Sequence, residues 1–178
     1  MTKIARRQGA LKPQDLFVLL VILSRGSEFK NYLALFALTG MAPSALHGAM
    51  KRAVASGLAI AKDGGHALLK PQLREFLLYG AKYAFPPTWS ALTRGVPTSY
   101  AAAPLNTIIA PSADAVPVWP SAKGSVRGQG LAPLYPSVPD AALKDDAIYA
   151  ILALFDALRA GQARERNAAK ELLEKYFL

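Results

Sequence analysis

The chain has 178 residues, with 52% hydrophobic and 19% charged side chains, two histidines and no cysteine. That is enough apolar material for one domain with a full core or for two small ones, and it excludes wholesale disorder. Without cysteine there are no disulfides, thiolate zinc sites or cysteine nucleophiles, and two histidines among few acids leave a metal centre or cofactor unsupported.

The formal net charge is +9. Residues 1–62 hold nine Lys/Arg against only Asp15 and Glu28, whereas residues 145–178 come to −1. A basic front half beside a near-neutral tail is expected of a polyanion-binding module followed by something else.

In chain order, residues 1–12 read as a loose basic arm, with Arg6 and Arg7 as candidates for minor-groove or phosphate contact. The run "LFVLLVIL" (Leu16–Leu23) follows basic residues as an export signal would. However, Pro13, Gln14 and Asp15 intervene, no small-x-small cleavage site follows, and the run is far short of the ~20 residues that span a bilayer. It is expected to be a buried first helix that begins at Pro13 and closes at Gly26, in a cytoplasmic protein without membrane contact. Being apolar all round, it needs a central position or a second subunit.

A second helix is expected over "SEFKNYLALFALTG", with Ser27 as N-cap and Gly40 as its end. A third runs from Pro43 and Ser44 to Gly57, with Leu46, Ala49, Met50, Ala53 and Val54 facing inward. Asp63-Gly64-Gly65 between Leu58–Ala61 and Ala67–Leu69 is a strong hairpin-turn signal. Pro71 starts a fourth helix, with Leu73, Phe76, Leu77 and Tyr83 as its apolar residues.

Beyond Pro86 the composition shifts. Ten of the thirteen prolines fall between Pro86 and Asp140, among bulky groups such as Trp89, Tyr100, Trp119 and Tyr135. A flexible linker would lack those groups, so an ordered, loop-rich segment wrapped on a core is expected. Two C-terminal helices follow, the first nearly all apolar around Ile148–Leu158, the second amphipathic. The division is residues 1–88 as a DNA-binding domain with a basic arm, and residues 89–178 as a dimerisation or regulatory region.

Three helices and a hairpin in this order, with a tight turn at "LTGMAP", make a helix-turn-helix with a wing. The outward face of the third helix carries Ser44, Ala45, His47, Gly48, Lys51, Arg52 and Ala55. Ser44, Ala45 and His47 near its start are expected to face bases, and Lys51 and Arg52, deeper in the helix, to hold phosphates. Lys62, His66 and Lys70 bracket the hairpin tip, suited to a wing that touches DNA backbone or minor groove, with Lys62 and Lys70 expected on phosphate and His66 read as a solvated hairpin residue. Gly48 costs ~1 kcal/mol relative to Ala inside a helix. It is read either as allowing close backbone approach to DNA or as a tolerated substitution on a solvent face.

About residues 11–85, on the strength of "SALHGAMKRAVASGL" and the hairpin after it, the chain resembles the winged helix-turn-helix regulators of bacteria, the MarR-like group in particular. The resemblance implies a mostly α fold with a small β-hairpin wing. It also implies a sequence-specific DNA-binding regulator, a repressor acting as a homodimer on double-stranded, palindromic operator DNA.

In the second half, Arg94, Thr98, Ser99, Tyr100, Arg127 and Gln129 are candidates to converge on an anionic, nucleotide-like small-molecule effector, helped by backbone N–H groups near Gly95, Gly128 and Gly130. The competing reading has the arginines tying down long loops. "GSVRGQG" is not a phosphate-binding loop, because no expected strand leads from it into a helix. No Ser/His/Asp arrangement, H-E-x-x-H, P-loop or dinucleotide fingerprint is present, so no enzyme is expected. Asp156, inside an apolar helix, calls for a basic partner. The alternatives to a DNA-binding regulator are a protein-interaction module of the antitoxin kind and an effector-gated sensor.

Overall fold

A computed structural model describes residues 10–110 and 115–178. Arg6 and Arg7 lie outside them. The first helix, α1 (Pro13–Leu23), opens on Pro13, and its third residue, Asp15, accepts the Lys12 N–H at 2.8 Å. Every residue from Asp15 to Leu23 is buried. A fully buried Leu, Ile, Val or Phe contributes about 1.5–3 kcal/mol, so this helix is a large share of the core.

After α1 the chain does not enter the second helix at Ser27. Ser27 takes φ +83°, and Glu28–Phe29 form a short strand, β1. Helix α2 (Tyr32–Thr39) is capped instead by Asn31, whose side chain accepts the N–H groups of Leu33 and Ala34 at 2.8 and 3.3 Å. Sheet pairing of Phe29 with His66 holds the chain extended and delays the helix. Gly40 ends α2 at φ +68°, a left-handed conformation that costs glycine little.

Helix α3 (Pro43–Ala55) follows at 104° to α2. Its inward residues Leu46, Ala49, Met50 and Ala53 are buried as expected, whereas Val54 is 37% exposed and lies off that stripe. The hairpin forms as β2 (Ala59–Lys62) and β3 (Gly65–Leu68), and β1 adds to β3, giving the strand order β1-β3-β2, all antiparallel. The next helical run comprises α4 (Lys70–Glu75), a π-helical stretch (Phe76–Gly80) and α5 (Ala81–Ala84).

The Pro-rich segment is more regular than its sequence suggests. Strands β4 (Trp89–Pro97), β5 (Pro117–Pro120) and β6 (Val126–Leu131) close into a small barrel, with β4 antiparallel to both others and β5 parallel to β6. Three strands leave almost no interior, because barrel diameter grows with strand number. Glycine fills the crowded positions: a Cβ on Gly95 would strike the Trp119 carbonyl, one on Gly128 the Val116 carbonyl, and one on Gly130 the Ser90 hydroxyl. "RGQG" is therefore a strand whose inward residues cannot carry side chains. Glycine and proline are the residues that disguise a strand in a sequence.

Helices α6 (Val138–Lys144), α7 (Asp146–Ala160) and α8 (Ala163–Glu174) complete the fold. Asp145 caps α7 by accepting the Ala147 and Ile148 N–H groups at 3.0 and 3.1 Å, and it pairs with Arg25. Residues Ile151 to Leu158 of α7 are all buried. Helix α7 packs against α1, α6 and α8, so both apolar helices are covered within one chain. One hydrophobic cluster runs from Leu16 through Trp119 to Phe155, across the compositional boundary at residues 88–89. The architecture is mostly helical, with two small β units. No single helix among the described residues is long and apolar enough to cross a membrane.

Candidate nucleic-acid interface

Of the outward face expected on α3, Ser44, His47 and Lys51 are exposed, while Ala45, Gly48 and Arg52 are half-buried. Ala45 packs against the core and offers little surface. Lys51 has no ion-pair partner among the described residues and points its charge into solvent.

Arg52 departs from the expectation that it anchors phosphate. Its Nε and Nη2 donate to the two oxygens of Asp15 at 2.7 and 2.6 Å, and Asp15 is fully buried. A bidentate pair of this kind is among the stronger hydrogen-bonded arrangements. The carboxylate holds the guanidinium's pKa above its ordinary value, and burial only partly opposes that effect. Arg52 thus fastens the C-terminal half of α3 to the start of α1.

This geometry also accounts for Gly48. A Cβ there would lie 3.2 Å from Nη1 of Arg52, whose guanidinium is fixed by Asp15. Gly48 is where the arginine crosses its own helix to reach the buried carboxylate.

The two histidines meet in an aromatic cluster between α2, α3 and the sheet. The His47 ring lies 3.9 Å from the Tyr32 ring, centre to centre. Nδ1 of His66 is 3.4 Å from the Tyr32 hydroxyl, and the His66 ring stacks on Phe29 at 5.7 Å. His66 is half-buried, which differs from the solvated hairpin residue expected. Burial lowers its pKa below the ordinary histidine value, and the proximity of His47 adds to that shift. Burial raises the Tyr32 pKa. Sequence reasoning missed Phe29 and Tyr32 as organisers of this surface, because a two-residue strand carries no periodicity to detect.

The lysines on either side of the hairpin turn have partners. Lys62 pairs with Glu28 at 2.5 Å, both exposed, and Lys70 donates to the Leu178 backbone oxygen at 3.3 Å. Lys62 pulls the Glu28 carboxyl below its usual range through a hydrogen bond and its charge. An exposed pair of this kind contributes little to stability.

In the second half, Arg94 and Arg127 stand directly opposite each other on β4 and β6, both exposed. Neither has an ion-pair partner among the described residues. Tyr100 lines a neighbouring groove with Trp89, Leu92 and Gln129. Thr98 and Ser99 are buried, and Gly95, Gly128 and Gly130 face the barrel interior, so none of them joins the arginines. Asp156 has the basic partner its helix position called for. Its oxygens accept from Arg159 Nε at 2.7 Å, Trp119 Nε1 at 2.6 Å and the Thr98 hydroxyl at 2.8 Å. Arg159 also donates to the Ala132 carbonyl at 2.7 Å. This buried node ties the barrel to α7 and has no open side for a substrate.

Comparison with family models, curated proteins and solved structures returned no match to this chain.

Proposed function

We propose that residues 11–85 form a winged helix-turn-helix of MarR-like type that binds double-stranded DNA, with α3 in the major groove and the β2–β3 hairpin as the wing. The observation that carries this reading is the element order α1-β1-α2-α3-β2-β3 with strand order β1-β3-β2, in which α3 leaves α2 at 104° and turns Ser44, His47 and Lys51 outward. Helix pairs that bind DNA in this way cross at about 90–120°. Lys51 anchors phosphate, and Ser44 and His47 face the bases. Lys62 joins by exchanging Glu28 for phosphate. Arg52 and Ala45 act within the protein.

The biological role proposed is transcriptional repression by two copies on a two-fold operator. Since α1 and α7 are covered within the chain, such a dimer uses another surface, and sedimentation with and without operator DNA tests it. A mobility shift on the DNA upstream of the protein's own coding region, with random DNA as competitor, tests binding. Lys51→Ala is expected to weaken binding to specific and random duplex alike and to lower the salt slope by about one. Unchanged affinity in Lys51→Ala would remove the assignment of α3 to DNA. A protein-docking role is favoured by one observation, the exposure of Leu33 (72%) and Phe36 (45%) on α2. Binding that is insensitive to salt would select it.

A further inference from the structure

The β4–β6 face of the small barrel has a composition that the duplex-binding reading does not use. Residues directly opposite on an antiparallel pair share a face, and alternate residues along each strand do too. The registers Leu92↔Gln129 and Arg94↔Arg127 therefore place these four side chains on one side of the sheet. The other side is crowded where Gly95 and Gly128 lie against β5, and both charged side chains of this ribbon stand on the open face.

On that face, two like charges are juxtaposed. Directly opposed like charges destabilise a strand pair, and no carboxylate among the described residues relieves these two. The nearby cation Lys123, by contrast, is paired with Asp140 at 2.9 Å. A di-arginine set about 5 Å apart by the strand geometry fits one phosphate, or two neighbouring phosphates of a single strand. Next to it, Trp89 (45% exposed) and Leu92 (52% exposed) open onto a groove completed by Tyr100, Pro117 and Gln129. A groove with aromatic and apolar walls beside unpaired arginines is the combination that binds a backbone and stacks its bases. An acidic peptide would use the arginines and leave the exposed indole without a role.

We propose that this face binds single-stranded nucleic acid, with Arg94 and Arg127 on the phosphates and Trp89 stacked on a base. The site is independent of α3. It is a deepening of the anionic, nucleotide-like ligand expected near Arg94, Tyr100 and Arg127, with a polymer in place of a small molecule.

Trp89 is itself the reporter, because the only other tryptophan, Trp119, is buried. Oligothymidylate titrated into the full chain at low salt is expected to quench tryptophan emission and to raise the anisotropy of a labelled oligonucleotide. Arg94→Ala/Arg127→Ala should weaken binding by about tenfold or more, and Trp89→Phe should remove the quench while keeping most of the affinity. All three positions are exposed, and circular dichroism verifies that each variant folds. Lys51→Ala should leave oligothymidylate binding unchanged while weakening duplex binding, so the two assignments fail separately. The proposal is overturned if oligothymidylate does not bind or Trp89 is not quenched. It is equally overturned if the double variant binds oligothymidylate normally, or if thymidine monophosphate or polyglutamate displaces it at equal charge concentration.

Discussion

Two buried carboxylates, one in each half of the molecule, are both held by arginine, and they do different work. Asp15, at the start of α1, takes Arg52 from α3, a side chain that remains 22% exposed and reaches it across a glycine. Asp156, in the middle of α7, takes Arg159 one turn along, which is only 4% exposed, together with the Trp119 indole and the Thr98 hydroxyl. The first is a strap at the edge of the core that sets how α3 lies on α1. The second is a sealed junction at which three separate chain segments converge. A buried ion pair is weak evidence of net stability, and it is costly to break once formed. The cost should therefore follow how many buried polar groups the substitution leaves without a partner.

The sharpest break in this comparison is Asp156→Ala. It strands the Arg159 guanidinium and the Trp119 N–H in the core, and a loss of about 3–5 kcal/mol in urea unfolding is expected. A loss under 1 kcal/mol would mean that water or the Ala132 carbonyl satisfies Arg159, and the distinction between junction and strap would fall. Arg52→Met should cost less, about 1.5–3 kcal/mol, since Asp15 keeps the Lys12 N–H at the positive end of α1. The same variant should reduce duplex DNA affinity only through the placement of α3, leaving the salt slope intact.

Acid should separate the two halves in a third way, because both histidines lie in the first. A base whose pKa is lower in the folded than in the unfolded chain stabilises the fold when neutral, and that contribution disappears as pH falls below the ordinary histidine value of 6.5. The midpoint of thermal unfolding should therefore drop between about pH 7 and 5 in the parent. His66→Gln should flatten the drop, which a pH series of melting curves would measure. The smallest effect is expected at Gly48. Gly48→Ala ought to gain up to ~1 kcal/mol from helix propensity, offset by the push on Arg52. In an Arg52→Met background the full gain should appear, and a double-mutant cycle measures the difference.

Much of the first half is legible from residue order. Pro43 and Gly57 bound a helix, Asp63-Gly64-Gly65 turns a hairpin, and Leu46, Ala49, Met50 and Ala53 recur at helical spacing, because these signals act over a few residues. Strand β1 was hidden, since two residues show no alternation and only pairing with Phe29's partner His66 makes them a strand. The barrel was hidden for a related reason: its strands are written in glycine and proline, and they become strands only when three segments close on one another.

The candidate site divides along the same line. Sequence alone determines that the front half is basic, that an amphipathic helix and a hairpin lie within it, and that Lys51 and Ser44 sit off the apolar stripe. Only the tertiary structure decided that Arg52 turns inward to Asp15, that Gly48 makes room for it, that His47 and His66 share Tyr32, and that Arg94 faces Arg127. Local propensity and periodicity are properties of neighbouring residues. The partner of a charge is chosen by which distant segments the core brings within hydrogen-bonding distance.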